Sequence, residues 1–90
     1  MDRASFEAGL RRDGYQTVER RRPAGEIDPD HAHEFDARLL IMEGAMTIAH
    51  GGGSHTYRPG EVFELAAGVR HSEQVGPEGV VYLAGRRAAG

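Results

Sequence analysis

Along much of this chain hydrophobic and polar residues alternate with a period of two, the spacing of a strand with one face in a core and the other in water. Ala37, Leu39 and Ile41 fall on one face, opposite Arg38. If the strand phase is carried back unbroken, that face also holds Phe35, His33 and His31, while Glu34, Asp36 and Arg38 point to water. Downstream, His71, Glu73 and Val75 share a face, against Arg70, Ser72 and Gln74. Leu40 and Met42 fall on the polar side of their strand, which predicts a second covered face there.

Only the first segment, Asp2 to Asp13, has helical spacing. Phe6 and Leu10, at i and i+4, form a narrow apolar stripe; Asp2 or Ser5 can cap the start and Gly14 is placed to end it. Such a short helix is marginal alone, and Gly9 weakens it further, so its stripe must dock on something larger.

After Gly14 the chain is punctuated by Pro23-Ala24-Gly25, Gly44, Gly51-Gly52-Gly53, Pro59-Gly60, Gly68 and Gly76-Pro77 through Gly79. Short β-rich segments lie between: 15–22, 27–33, 37–43, 45–50, 55–58, 62–65, 69–75 and 80–84. That rhythm predicts an all-β sandwich or barrel, and eight strands suffice for a small double-sheet roll. Gly51-Gly52-Gly53-Ser54 is expected to turn a hairpin, and Arg58-Pro59-Gly60-Glu61 to form a β-turn with proline at its second position. With no repeat or linker, residues 1–90 are expected to form one domain, helix in 1–14 and barrel in 15–86.

Composition narrows the chemistry. The absence of cysteine removes disulfides and thiolate ligands, so any metal must be held by nitrogen and oxygen. A formal net charge of -3 argues against nucleic acid as a partner. Glu19, Glu26, Asp28 and Asp30 flank the locally basic triplet Arg20-Arg21-Arg22, which reads as a solvated strand edge. No apolar h-region follows Met1, and no run reaches the roughly 20 apolar residues needed to cross a bilayer, so a soluble, cytoplasmic protein without membrane contact is expected.

The exception to the polar-out pattern carries the functional signal. His31 and His33 project side by side from an extended segment, and His71 and Glu73 project together from another. Titratable groups inside a barrel cost several kcal/mol unless they are paired or coordinated, so the cluster asks for a ligand. Three imidazoles with further positions open to water are the donor set of a catalytic metal site. Imidazole suits iron, nickel, copper and zinc alike.

The spacing resembles the cupins. Gly25, five residues, His31-Ala32-His33 and then Gly44 follow the first cupin motif, and Gly60, five residues, Ala66-Ala67-Gly68 and then His71 follow the second, with Ala66 in place of a proline. The resemblance, over residues 25–83, implies a double-stranded β-helix, or jelly roll, behind the short N-terminal helix. It implies His31, His33 and His71 as metal ligands and places the motif's glutamate at Ala37, so the fourth ligand is missing. Glu73 shares the face of His71 and is the better substitute, as ligand, second-sphere group or general base; Asp36 would need a bulge to turn inward.

Two classes of function fit this reading. One is a divalent-metal enzyme (Zn, Fe, Ni, Mn or Cu) acting on a small organic substrate as a dioxygenase, isomerase or hydrolase, with Glu73 catalytic. The other is a non-catalytic module that binds a small ligand or a metal as sensor or store. Tyr57, Tyr82, Phe35, Phe63 and Met46 are expected to line the interior, His50 and His55 to flank the glycine turn in solvent, and Arg38 to be structural. A homodimer is expected from exposed sheet edges and from the resemblance to small cupins.

Overall fold

A computed structural model describes residues 1–89. Its elements are α1 (Arg3–Arg12), β1 (Gln16–Arg22), β2 (Ile27–His31), β3 (Phe35–His50), β4 (Gly53–Tyr57), β5 (Val62–Leu65) and β6 (His71–Ala88). Every strand pairing is antiparallel, and β3 and β6 form the spine. Among the described residues no helix is long and apolar enough to cross a membrane.

The eight expected segments appear as six strands because two pairs of them are continuous. Residues 37–43 and 45–50 are halves of β3, and residues 71–75 and 80–88 are halves of β6. Both strands bend where β3 slips register against β6, between Ile41 and Glu43 and again between Gly44 and Met46. Gly44 (φ +74°) and Gly79 (φ +79°) make this corner, in a backbone region that only glycine enters without strain. A methyl group on Gly44 would overlap the carbonyl of Gly79, so the two chains cross here with no room for a side chain.

The bend folds the spine into two facing layers. One contains β1, the second half of β6, the first half of β3 and β5; the other contains β2, the first half of β6, the second half of β3 and β4. Leu39, Ile41, Phe63, Tyr82 and Ala84 from the first layer pack with Met46, Ile48 and Val75 from the second, and Phe35 and Tyr57 close the cluster as expected. This is a double-stranded β-helix.

Leu40 and Met42, the misfits of the alternation, face the helix. Phe6 and Leu10 of α1 pack with Tyr15, Leu40 and Leu83 on the outer face of the first layer, against Met42 and Val62. Asp2 caps the helix, its Oδ1 accepting from the Ser5 amide at 2.9 Å. At the other end Gly14 (φ +79°) lets its own amide bond the Arg11 carbonyl and the Tyr15 amide bond the Leu10 carbonyl, the paired bonds of a Schellman ending. The helix thus stops where Tyr15 reaches the cluster that Leu10 anchors.

The two turns form as expected. Gly51 and Gly52 both have positive φ between the paired residues His50 and Gly53, and the Glu61 amide closes the Pro59-Gly60 turn on the Arg58 carbonyl at 2.9 Å. A bulge interrupts β2. The strand pairs Asp28 with Glu73 but His31 with His71, so three steps on β2 match two on β6. This bulge at Pro29, which has no amide hydrogen to give the ladder, switches the phase and turns Ile27 out to 64% exposure.

Leu10 lies directly over Gly85, where an added methyl would come within 2.5 Å of Leu10 Cδ2. Leu10→Ala should therefore cost about 2–5 kcal/mol in urea unfolding, and Gly85→Ala should also destabilise by lifting the helix. Wild-type midpoints in both variants would show that the helix contributes nothing to the fold.

Candidate metal centre

Two neighbouring stretches deliver the polar cluster. His31 ends β2, and His33 lies just beyond it in the link to β3; His71 and Glu73 open β6. Pairing of His31 with His71 brings the two stretches together. The ring centroids of His31 and His33 are 4.8 Å apart, those of His31 and His71 4.3 Å, and those of His33 and His71 5.2 Å. One donor atom from each of His31, His33, His71 and Glu73 lies within 4.8 Å of the others. The link is held from below: the Gly68 amide donates to the His33 carbonyl and the Ala67 amide to Asp36 Oδ1, both at 2.9 Å.

Backbone carbonyls set the rings. His31 Nδ1 lies 2.7 Å from the Pro29 carbonyl, and His71 Nδ1 3.1 Å from that of Val69. A carbonyl only accepts, so each Nδ1 carries the hydrogen, and in a neutral ring Nε2 is left with a free lone pair. The bulge that displaced Ile27 also supplies the carbonyl that orients His31. This is the outer support expected around a metal-binding imidazole.

The Nε2 atoms then face a carboxylate. Glu73 Oε2 lies 3.1 Å from His71 Nε2 and 3.9 Å from His31 Nε2. Two acceptors at 3.1 Å repel unless a positive charge lies between them, either a proton on His71 or a cation shared by the group. The donor set therefore fits a divalent ion held by nitrogen and one carboxylate. His71 is 1% exposed, so the charge cannot be left to solvent.

The residue that sequence reasoning missed is Arg22. The run Arg20-Arg21-Arg22 is not uniformly solvated, because Arg22 turns inward and is 6% exposed. Its Nη1 lies 2.5 Å from Glu73 Oε1, its Nε 2.6 Å from Glu26 Oε1 and its Nη2 3.1 Å from Asp28 Oδ2. Burial would lower its pKa, but hydrogen bonds to Glu26 and Glu73 outweigh it and push the pKa up. The available signal was local: Glu26 and Asp28 stand across the Pro23-Ala24-Gly25 turn from Arg22, where carboxylates can pair with a guanidinium.

No family model matches the chain, and no curated protein does. Solved structures do. A structural-genomics protein of unknown function from Rhizobium leguminosarum superposes with a TM-score of 0.78 at 17% identity, over 83% of this chain and 71% of that one. An RmlC-like cupin from Shewanella frigidimarina gives 0.73 at 20% identity, over 83% and 67%. A cupin-2 domain protein from the same organism gives 0.63 at 24%, over 81% and 69%. The fold is the cupin barrel.

Against the cupin pattern, the remaining residues fall into place. Ala37, where the first motif has its glutamate, is buried in the apolar core and offers no donor. Asp36 does not turn toward the cluster. It holds the Ala67 amide and lies 3.3 Å from Arg87, and that amide bond first, then Arg87, keeps its pKa below the ordinary carboxylate value. Arg38 is structural, bonded to Asp13 at 2.6 Å and stacked over Tyr15. His50 and His55 are not paired across their hairpin, because His50 stands opposite Gly53 and His55 opposite Ile48.

Burial, and then the charges of His31 and His71, hold the His33 pKa below its ordinary 6.5. The unfolded chain then takes up this proton first, so stability from His33 is present at neutral pH and is lost as pH falls below about 6.5. Metal-free protein should lose unfolding free energy over that range, and His33→Gln should lose less. Parallel pH profiles for the two proteins would contradict the assignment.

Proposed function

We propose that this cupin binds one divalent transition metal through His31, His33 and His71, with Glu73 beside it, and that the centre acts on a small organic molecule. The observation that carries the reading is the convergence of four donors with two Nδ1 atoms already committed to backbone carbonyls. Arg22 and Glu73 alone would make a satisfied ion pair. They do not explain why three imidazoles turn to the same point.

A bound ion would supply Lewis-acid polarisation of a carbonyl or a water, or redox chemistry if it is iron or copper. The chain's own residues do the rest. Glu73 presents Oε2, the oxygen that Arg22 does not hold, to the point where the histidines converge, where it would coordinate the ion. Phe35, stacked on His33 with ring centroids 4.6 Å apart, walls one side of the centre and limits water there. Dioxygenation, isomerisation and hydrolysis all fit this arrangement. Because Ala37 and Asp36 add no further donor, positions remain for a substrate, which favours an enzyme over a sensor or store.

The same reading takes a second copy of the chain as partner. Among the described residues β1 pairs only with β6, and Val18 at 43% and Ile27 at 64% exposure leave apolar surface for that partner to cover.

Elemental analysis of untagged protein should find about one transition-metal ion per chain, as expected for a mononuclear catalytic site. His33→Ala and His71→Ala should each remove most of it while the far-ultraviolet circular dichroism stays that of the barrel. Full occupancy in both variants would sink the site assignment. Full occupancy of the wild type by an ion that no exogenous ligand perturbs would favour the storage reading.

A further inference from the structure

We propose that Arg22 is the positioning residue of the metal centre: by holding Oε1 of Glu73 it leaves only Oε2 for an ion, so Glu73 acts as a one-oxygen donor. The proposal rests on reading His31, His33, His71 and Glu73 as a metal site. It goes further by assigning a role to a residue on a different strand, in the layer that faces the histidines.

A guanidinium stays charged at any physiological pH and presents its donors in a fixed plane. Buried at 6% side-chain exposure, Arg22 must be paired, and its three carboxylates are not equivalent. Glu26 and Asp28 have side chains 40% and 47% exposed, whereas that of Glu73 is 11% exposed. Water can replace Arg22 at the first two but not at Glu73. Breaking the Glu73 contact would leave a largely buried carboxylate oxygen without its cation, so it is the one that persists.

Glu73 is therefore held at Oε1, 2.5 Å from Arg22, while Oε2 is left facing His71 Nε2 at 3.1 Å. To chelate an ion with both oxygens it would have to give up Arg22. The guanidinium has little freedom to follow, because Nη1 also packs 3.9 Å from Met46 Sδ and the Arg22 carbonyl backs onto Gly79 at the corner of β6. The fold itself, through β1 and that corner, sets how the carboxylate meets the metal.

The test is a double-mutant cycle on Co(II) binding, read by affinity and by the visible absorption that reports coordination number. Arg22→Met should weaken Co(II) binding about 10–100-fold, the usual effect of losing an outer-sphere partner, and should change the spectrum as Glu73 is released. In a Glu73→Gln background the same substitution should do neither, because Arg22 acts through Glu73. A general structural role would weaken binding equally in both backgrounds, and that result, or an unchanged spectrum and affinity in Arg22→Met, overturns the proposal. If Arg22→Met does not fold, Arg22→Lys carries the same cycle, since it keeps the charge and loses the fork. Wild-type protein that takes up no Co(II) would instead remove the metal reading, and this proposal with it; uptake with additive effects overturns Arg22 alone.

Discussion

The buried contact between Arg22 and Glu73 is the constraint on which the interior depends. A charge taken out of water costs several kcal/mol, and a guanidinium cannot shed its proton to escape that cost. Once β1 carries Arg22 inside, a carboxylate has to meet it, and Glu73 does so from the opposite layer. One side chain therefore links β1 to β6 and, through Glu26 and Asp28, to the turn and the strand between them. Contacts of this kind are weak evidence of net stability. Their value here is geometric, since they fix where Glu73 stands beside the histidines.

The apolar structure makes that interior possible by keeping both faces of one layer occupied. Inner residues such as Leu39, Ile41 and Tyr82 fill the barrel, while outer Leu40 and Leu83 are covered by Phe6 and Leu10 of the helix. A chain of 90 residues has little core to spare. Covering the outer face with a helix adds a second cluster without enlarging the barrel, whose interior is then free to hold polar groups at one end.

Polar supports are correspondingly economical. The bulge at Pro29 turns Asp28 toward Arg22, turns His31 toward His71 and aims the Pro29 carbonyl at His31 Nδ1. The loop before β6 is tied to the histidine link by the Gly68 and Ala67 amides. Asp36, which sequence made a distant candidate for the metal, serves as that tie. A carboxylate accepting a backbone amide in a loop holds two segments in register and is no longer free to coordinate.

By itself the sequence determined the elements that rest on local rules. Period-two alternation, glycine and proline spacing, the helix cap at Asp2 and the shared face of His71 and Glu73 all follow from backbone geometry within a few residues. The convergence of His31, His33 and His71 was legible because the cupin spacing encodes it. Tertiary structure alone decided three things: the fusion of eight segments into six strands at the Gly44 and Gly79 crossing, the phase switch in β2, and the inward turn of Arg22. Each depends on partners dozens of residues away. A lone arginine in a basic run reads as solvated until the fold places Glu73, 51 positions downstream, within 2.5 Å of it.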